Sequence, residues 1–209
     1  MVLNGFMGQF NNIFVSLMKL AWINTLWVVF TILGLGIFGW APATVGMFSV
    51  FRRIFYNKEI EFSIFKEFFA IYKEKFVKSN VVGIFLIVGT WSFIYGILTL
   101  KYLDQTLAIL IGTVFLAAFI LFGLVALFIF PVLSHYNTSL QISFRYSLMI
   151  GLSHLHYSFV IVLALLITYA LFTTFPGLLL FYALSLPVAI VMRFSTIIFR
   201  NIEGKSIVQ

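Results

Sequence analysis

The sequence predicts an all-α, polytopic transmembrane bundle of about five spans, and three observations predict it. The 209-residue chain is 63% hydrophobic and 9% charged, with a mean hydropathy of +1.14; a soluble domain is about 45–50% apolar and about 25% charged. Several apolar runs are each long enough to cross a hydrocarbon core of about 30 Å at about 1.5 Å per residue. The basic residues gather between and after those runs rather than within them. A soluble fold of this length has no interior large enough for so much apolar surface, so lipid is the solvent for most of it. The whole chain, 1–209, reads as a single membrane domain. Soluble enzymes, nucleic-acid-binding domains and disordered chains are excluded by the same composition. The net charge of +7 is the ordinary result of basic cytoplasmic flanks.

Residues 1–19 form an amphipathic segment in which Leu3, Phe6, Met7, Phe10, Ile13, Phe14, Leu17 and Met18 recur at helical spacing. It either lies in the interface or prolongs the first span. Its first 18 residues carry no charge, so no basic region precedes an apolar one as in a cleavable signal peptide. The first span is 20–40, ending in Gly34-Leu35-Gly36-Ile37-Phe38-Gly39-Trp40-Ala41-Pro42. Glycines and proline there predict a break near Pro42, after which 42–56 either continues the span or returns as a short re-entrant helix. Segment 54–80 is cytoplasmic, with an amphipathic helix over 60–79. Phe65, Phe68, Phe69, Tyr72 and Phe76 form its apolar stripe. Ser63 is the N-cap, Lys66, Glu67, Lys73 and Lys78 lie on the polar side, and Glu74 pairs with Lys78. The remaining spans are 81–100, 107–133, 158–175 and 178–199, the last carrying Pro187 and Arg193.

A faint internal repeat runs through this order. Pro42 and Pro131 each close an apolar run, and each is followed by an interfacial helix and a returning span, with both units running in one direction. Orientation follows from the cations. In a five-span chain, all of the 13 Lys and Arg except Lys19 and Lys101 fall on one side. The positive-inside rule makes that side the cytoplasm, with the C-terminus inside and the N-terminus outside.

Residues able to carry chemistry are few. Asp104 lies in the loop 101–106; Glu59, Glu61, Glu67 and Glu74 lie in the amphipathic stretch, and Glu203 lies in the tail. No carboxylate falls within an expected span, which argues against a carrier driven by an intramembrane acid. There is no cysteine, hence no disulfide, thiolate nucleophile or Cys-bound zinc. His135, His154 and His156 show no metal-ligand spacing. No serine-hydrolase elbow, phosphate loop or dinucleotide fingerprint occurs. No catalytic residue, metal or cofactor is therefore expected, and the chain does not read as an enzyme. The residues left as functional candidates are Pro42, Arg52, Arg53, Lys66, Lys73, Pro131, His135 and Arg145. The two prolines mark broken helices, and the others form basic or polar sites at the cytoplasmic face. Ser92-x-x-x-Gly96, Ala108-x-x-x-Gly112 and Thr113-x-x-x-Ala117 allow close helix approach, internally or between copies.

Residues Gly34 to Thr44, then Arg52-Arg53, Phe65-Lys66-Glu67-Phe68 and Phe76-Val77-Lys78-Ser79-Asn80, resemble the first half of the YesL-like membrane proteins. Phe130-Pro131-Val132-Leu133-Ser134, with Leu148–Leu155 and His156, is similar to the second half. That family is a domain of unknown function, chiefly of Gram-positive bacteria. The resemblance implies a plasma-membrane protein that is an accessory to carbohydrate uptake or polysaccharide utilisation. Its expected partners are the bilayer and a sugar-transport membrane complex or a second copy of itself, with no nucleic acid. The alternative is a small oligomeric transporter or channel whose path follows the broken helices at Pro42 and Pro131.

Overall fold

The structure, a computed structural model, describes residues 2–57 and 62–206. Lys58, Glu59, Glu61 and Gln209 lie outside the described residues, as do the side chains of Leu3, Phe6, Met7, Phe10 and Lys205. The architecture is all-helical: α1 Val2–Leu33, α2 Trp40–Arg52, α3 Ile64–Glu74, α4 Phe76–Leu100, α5 Gln105–His135, α6 Leu140–Ser153, α7 Leu155–Thr174, α8 Gly177–Tyr182 and α9 Ser185–Ser206. A π-helical turn, Arg53–Asn57, prolongs α2. Among the described residues, five stretches are long and apolar enough to cross a membrane: Ile13–Leu33, Phe76–Leu100, Gln105–His135, Leu155–Thr174 and Ser185–Gly204. Apolar side chains along α1, α4, the outer half of α5 and α7 remain exposed. Lipid contact requires such a surface, and water would not tolerate it.

The N-terminal segment prolongs the first span, since α1 is one continuous helix from Val2. Its end decides the rest of the fold. The chain reverses over Gly34–Gly39, and α2 packs back antiparallel along α1. Trp27 Nε1 donates to Thr44 Oγ1 at 3.0 Å, while Ser16, Lys19 and Leu20 share one groove with Phe51, Ile54 and Phe55. Of the two readings of 42–56, the structure therefore takes the returning helix. The break precedes Pro42. Leu35 and Gly36 adopt φ values of 58° and 74°, and Pro42 sits in the first turn of α2, where a missing N–H costs no helical hydrogen bond. Ten of the 13 residues of α2, Pro42 among them, are buried. Around it lie α1, α3, α4, α5 and α9.

Several expected boundaries shift. The amphipathic helix is shorter than 60–79, because the chain leaves helical geometry at Lys75 (φ −97°, ψ 6°) and Phe76 begins α4. With that break the Glu74–Lys78 pair does not form: Glu74 meets Lys75 at 2.9 Å, and Lys78 Nζ donates to the Thr138 carbonyl at 3.2 Å. Ser63 does cap α3, its Oγ accepting from the Lys66 N–H. The last apolar run is divided into α8 and α9 with a break at Ala183–Leu184, and Pro187 falls in the first turn of α9. Pro131, expected to break its helix, lies inside a continuous α5. The Ser134 hydroxyl donates to the Pro131 carbonyl at 2.8 Å.

The internal repeat acquires a structural form. In one unit α2, α3 and α4 follow one another; in the other, the end of α5, α6 and α7 do so. Phe130 packs on Trp40 and Phe48, and His135 packs on Tyr56, so α2 and the end of α5 run in the same direction. Lys75 and His154 occupy the matching breaks. Ser79 and Ser158, each four residues on, are buried and donate to the Lys75 and His154 carbonyls. Small residues serve internal packing at Gly96 of α4, where the Phe115 ring of α5 fills the space a side chain would take.

Gly39 provides a direct check on the reversal. A Cβ there would overlap the Thr31 and Phe30 carbonyls, whereas one at Gly123 would meet nothing within 4 Å. Gly39→Ala is expected to cost about 3 kcal/mol, and Gly123→Ala to be neutral or stabilising by about 0.5–1 kcal/mol. Thermal unfolding of the two variants in detergent, side by side, makes the comparison.

Candidate functional site

The polar residues gather where α2, α5 and α9 end and α4 begins. Two carboxylates organise them. Glu67, on the inner side of α3, receives Arg53 Nη1 at 2.7 Å and the Ser49 hydroxyl at 2.8 Å, with Arg52 Nη2 at 3.9 Å. Ser49 is fully buried within α2. The fold brings Glu67 to it because α3 runs back along α2 so closely that Gly46 lies under Phe68. The Glu67 side chain is only 14% exposed. Removing it would leave shielded donors without a charge to meet, so the cluster acts as a clamp between α2 and α3.

The second carboxylate is Glu203, near the end of α9. Its Oε1 lies 2.9 Å from His135 Nε2, and its other oxygen accepts from the Tyr56 hydroxyl. The Tyr136 phenol lies close enough to feel the Glu203 charge. Arg200, one turn earlier, donates to the carbonyls of Phe55 at 3.0 Å and Tyr56 at 2.6 Å. Those carbonyls belong to the π-helical turn, whose altered pitch leaves them open to a side-chain donor. The imidazole of His135 stacks on Phe199 and meets Tyr56 and Tyr136 edge-on. Nearby, Lys75 Nζ donates to Asn137 Oδ1 at 2.8 Å and joins α4 to the loop after α5. Hydrogen bonding to Glu203 is the leading cause that raises the Tyr56 phenol above its ordinary value. Burial, helped by the nearby Glu203 charge, pushes Tyr136 up to about 12.

The candidates from sequence therefore divide. Arg52 and Arg53 meet at Glu67, and His135 joins the Glu203 cluster. Lys66, Lys73 and Arg145 stay exposed on α3 and α6, Lys73 resting 4.6 Å above the Phe69 ring. Pro42 and Pro131 are buried packing positions. His154 and His156 have ring centroids 6.2 Å apart, and no group of three metal-ligating side chains occurs among the described residues. Sequence reasoning missed Glu203, left as a tail residue, and its partner Tyr56. Asn24 was missed as well. It is 3% exposed, accepts from the Leu184 and Ser185 N–H groups, and donates to the Leu180 carbonyl. Its signal was available, as an amide inside an apolar run.

Fold and site together define a polytopic, all-helical membrane protein with a polar assembly at one end. Residues 20–97, which run from α1 through most of α4, match a family described as a protein of unknown function, DUF624. The chain is similar over most of its length to two proteins of Bacillus subtilis strain 168, each described as uncharacterized. YteU is 29% identical over 184 residues, 88% of this chain and 82% of its own; YesV is 29% identical over 196 residues, 91% of each. YesL, from the same organism and also described as uncharacterized, is 29% identical over 124 residues, 59% of this chain and 57% of its own. No solved structure matches the chain. The chain is thus similar to the YesL-like proteins, as the resemblance of its first half suggested.

A phenol that the fold buries beside a carboxylate is stabilised in its neutral form, and ionising it at high pH costs the folded state. Tyr136 stabilises the fold below pH about 10, the ordinary tyrosine value, and that contribution is lost as pH rises from there towards about 12. Tyr136→Phe is expected to flatten the fall in melting temperature across this window, read by thermal unfolding at a series of alkaline pH values.

Proposed function

We infer that the protein is a non-enzymatic membrane component that presents a basic face to a partner, as an accessory to carbohydrate uptake or polysaccharide utilisation. One observation carries the reading. The two matching surface helices of the repeat, α3 and α6, present Lys66, Lys73 and Arg145 exposed, while Arg52, Arg53, Lys75 and Arg200 are engaged in internal contacts. Cations that serve only the fold would be expected to find partners within it. The bundle interior supports the same reading. Its centre is filled by Met47, Phe128, Ile129, Leu133 and Met192, and hydroxyls such as Ser147 and Thr196 are bonded to carbonyls of their own helices. Such an interior offers a solute little to bind. The carbohydrate context comes from the YesL-like resemblance alone.

By the positive-inside rule the basic face is cytoplasmic. Lys19 shares a groove with Phe55, which favours a start of α1 on the cytoplasmic side. Anionic headgroups attract an exposed lysine near the surface by about 1 kcal/mol at close range.

The test is affinity purification from native membranes, normalised to inserted protein. The double variant Lys66→Glu, Lys73→Glu is expected to lose co-purifying membrane partners while accumulating normally. Undiminished recovery of partners would defeat the docking role. Sugar flux through the purified protein alone in liposomes would replace it with a transporter.

A further inference from the structure

A groove of about 180 Å³ runs between α1, the end of α2 with its π-helical turn, and α9. Leu20, Phe51, Ile54, Phe55 and Ala189 give it an apolar floor, and Lys19 stands in its wall. Arg193, one helical turn after Ala189, brings its guanidinium to 5.8 Å from the centre of the Phe55 ring. Two cations, one from the first span and one from the last, thus border the same aromatic side chain.

Their positions call for an anion. Lys19 is the one charged residue of the apolar stretch Ile13–Leu33, and Arg193 falls inside the stretch Ser185–Gly204. A basic side chain within an apolar span is costly unless a counter-charge or water meets it. Neither cation forms an ion pair with a described residue. The nearby carboxylates are taken elsewhere: Glu67 receives Arg52 and Arg53, and Glu203 receives Tyr56 and lies against His135. Neither α1 nor the chain from Trp40 to Asn57 carries an acidic residue.

The surroundings select the kind of anion. On α1, Phe14, Leu17, Met18 and Trp22, on either side of Lys19, stay exposed, as a surface that faces acyl chains does. A small anion in water gains nothing from such a surface or from the apolar floor. A phospholipid offers both parts, a phosphate for charge-assisted hydrogen bonds to the two cations and an acyl chain for the apolar side chains. A headgroup that ends in an ammonium would carry its own cation towards Lys19 and Arg193, so an anionic headgroup is preferred. Basic pockets between spanning helices on the cytoplasmic side suit such headgroups in general.

We propose that this groove binds one anionic phospholipid, with its phosphate between Lys19 and Arg193. The lipid braces α1 against the π-helical turn and α9, and so joins the first span to the last. The site does not depend on the docking role of α3, and its test uses different residues.

The full chain is placed in phosphatidylcholine nanodiscs that contain phosphatidylglycerol or phosphatidylethanolamine at equal fraction, and the lipid it retains on release is read by native mass spectrometry. The native chain should retain one phosphatidylglycerol in preference to either zwitterionic lipid. Lys19→Gln and Arg193→Gln should each weaken that retention about fivefold, and Lys19→Arg should keep it. Lys101→Gln removes the same charge from the loop between α4 and α5 and should leave retention unchanged. Glycerol 3-phosphate, which has the phosphate without the acyl chains, should not displace the lipid. No preference for phosphatidylglycerol in the native chain, undiminished retention in Lys19→Gln and Arg193→Gln, an equal loss in Lys101→Gln, or displacement by glycerol 3-phosphate would overturn the proposal. So would retention that appears only in the double variant Glu59→Gln, Glu61→Gln, because the chain would then supply its own anion.

Discussion

A bilayer core offers no hydrogen-bond partner to an interrupted helix, and the fold depends on how this chain meets that constraint. It interrupts its apolar helices twice. At Gly34–Gly39 the turn satisfies itself: the Gly36 N–H donates to Thr31, and the Trp40 N–H to Gly36. At Ala183–Leu184 one side chain does the work, with Asn24 of α1 receiving two backbone N–H groups and donating to a carbonyl. An amide buried in such surroundings is costly unless fully engaged, and here it is spent on another helix's broken ladder. At the first interruption Leu35, Ile37 and Phe38 stay exposed and the turn's own hydrogen bonds serve it, while α2, the helix born there, has ten of its 13 residues buried.

From the burial of α2 the polar assembly follows. A helix that returns along α1 carries Arg52, Arg53 and Tyr56 back to the end where α9 and α5 finish. Glu67 and Glu203 then tie that end together from two sides. Hydrophobic transfer contributes little between helices already in lipid, so close packing and these charge-assisted bonds supply much of the specificity. The parallel repeat places α3 and α6 in matching positions, and α3 runs from Glu67 beside Ser49 to Tyr72 beside Phe30.

The spans and the fold class were legible in the sequence because length and apolar content alone decide them. The amphipathic α3 was legible too, since its stripe has a clear helical period, although its end was placed too late. Nothing in the composition of Glu74-Lys75-Phe76 marks a break that arises when α4 must turn onto α2. Pro42 was read as a stop, yet proline in a first turn starts a helix as readily as it ends one, and the glycines ahead of it make the reversal. Glu203 was assigned to a tail because it follows a span's apolar run. Its partners are 68 and 147 residues away, and pairing across that distance is a property of the packed bundle.

The reversal between α1 and α2 is the claim on which the rest stands, and a spin-label distance between cysteines placed at Ser16 and Asn57 tests it most directly. The chain has no native cysteine to interfere. The account predicts a separation of about 20 Å or less, because Ser16 shares a groove with Phe55. A separation on the order of 60 Å, as one straight helix through both sites would give, would contradict it.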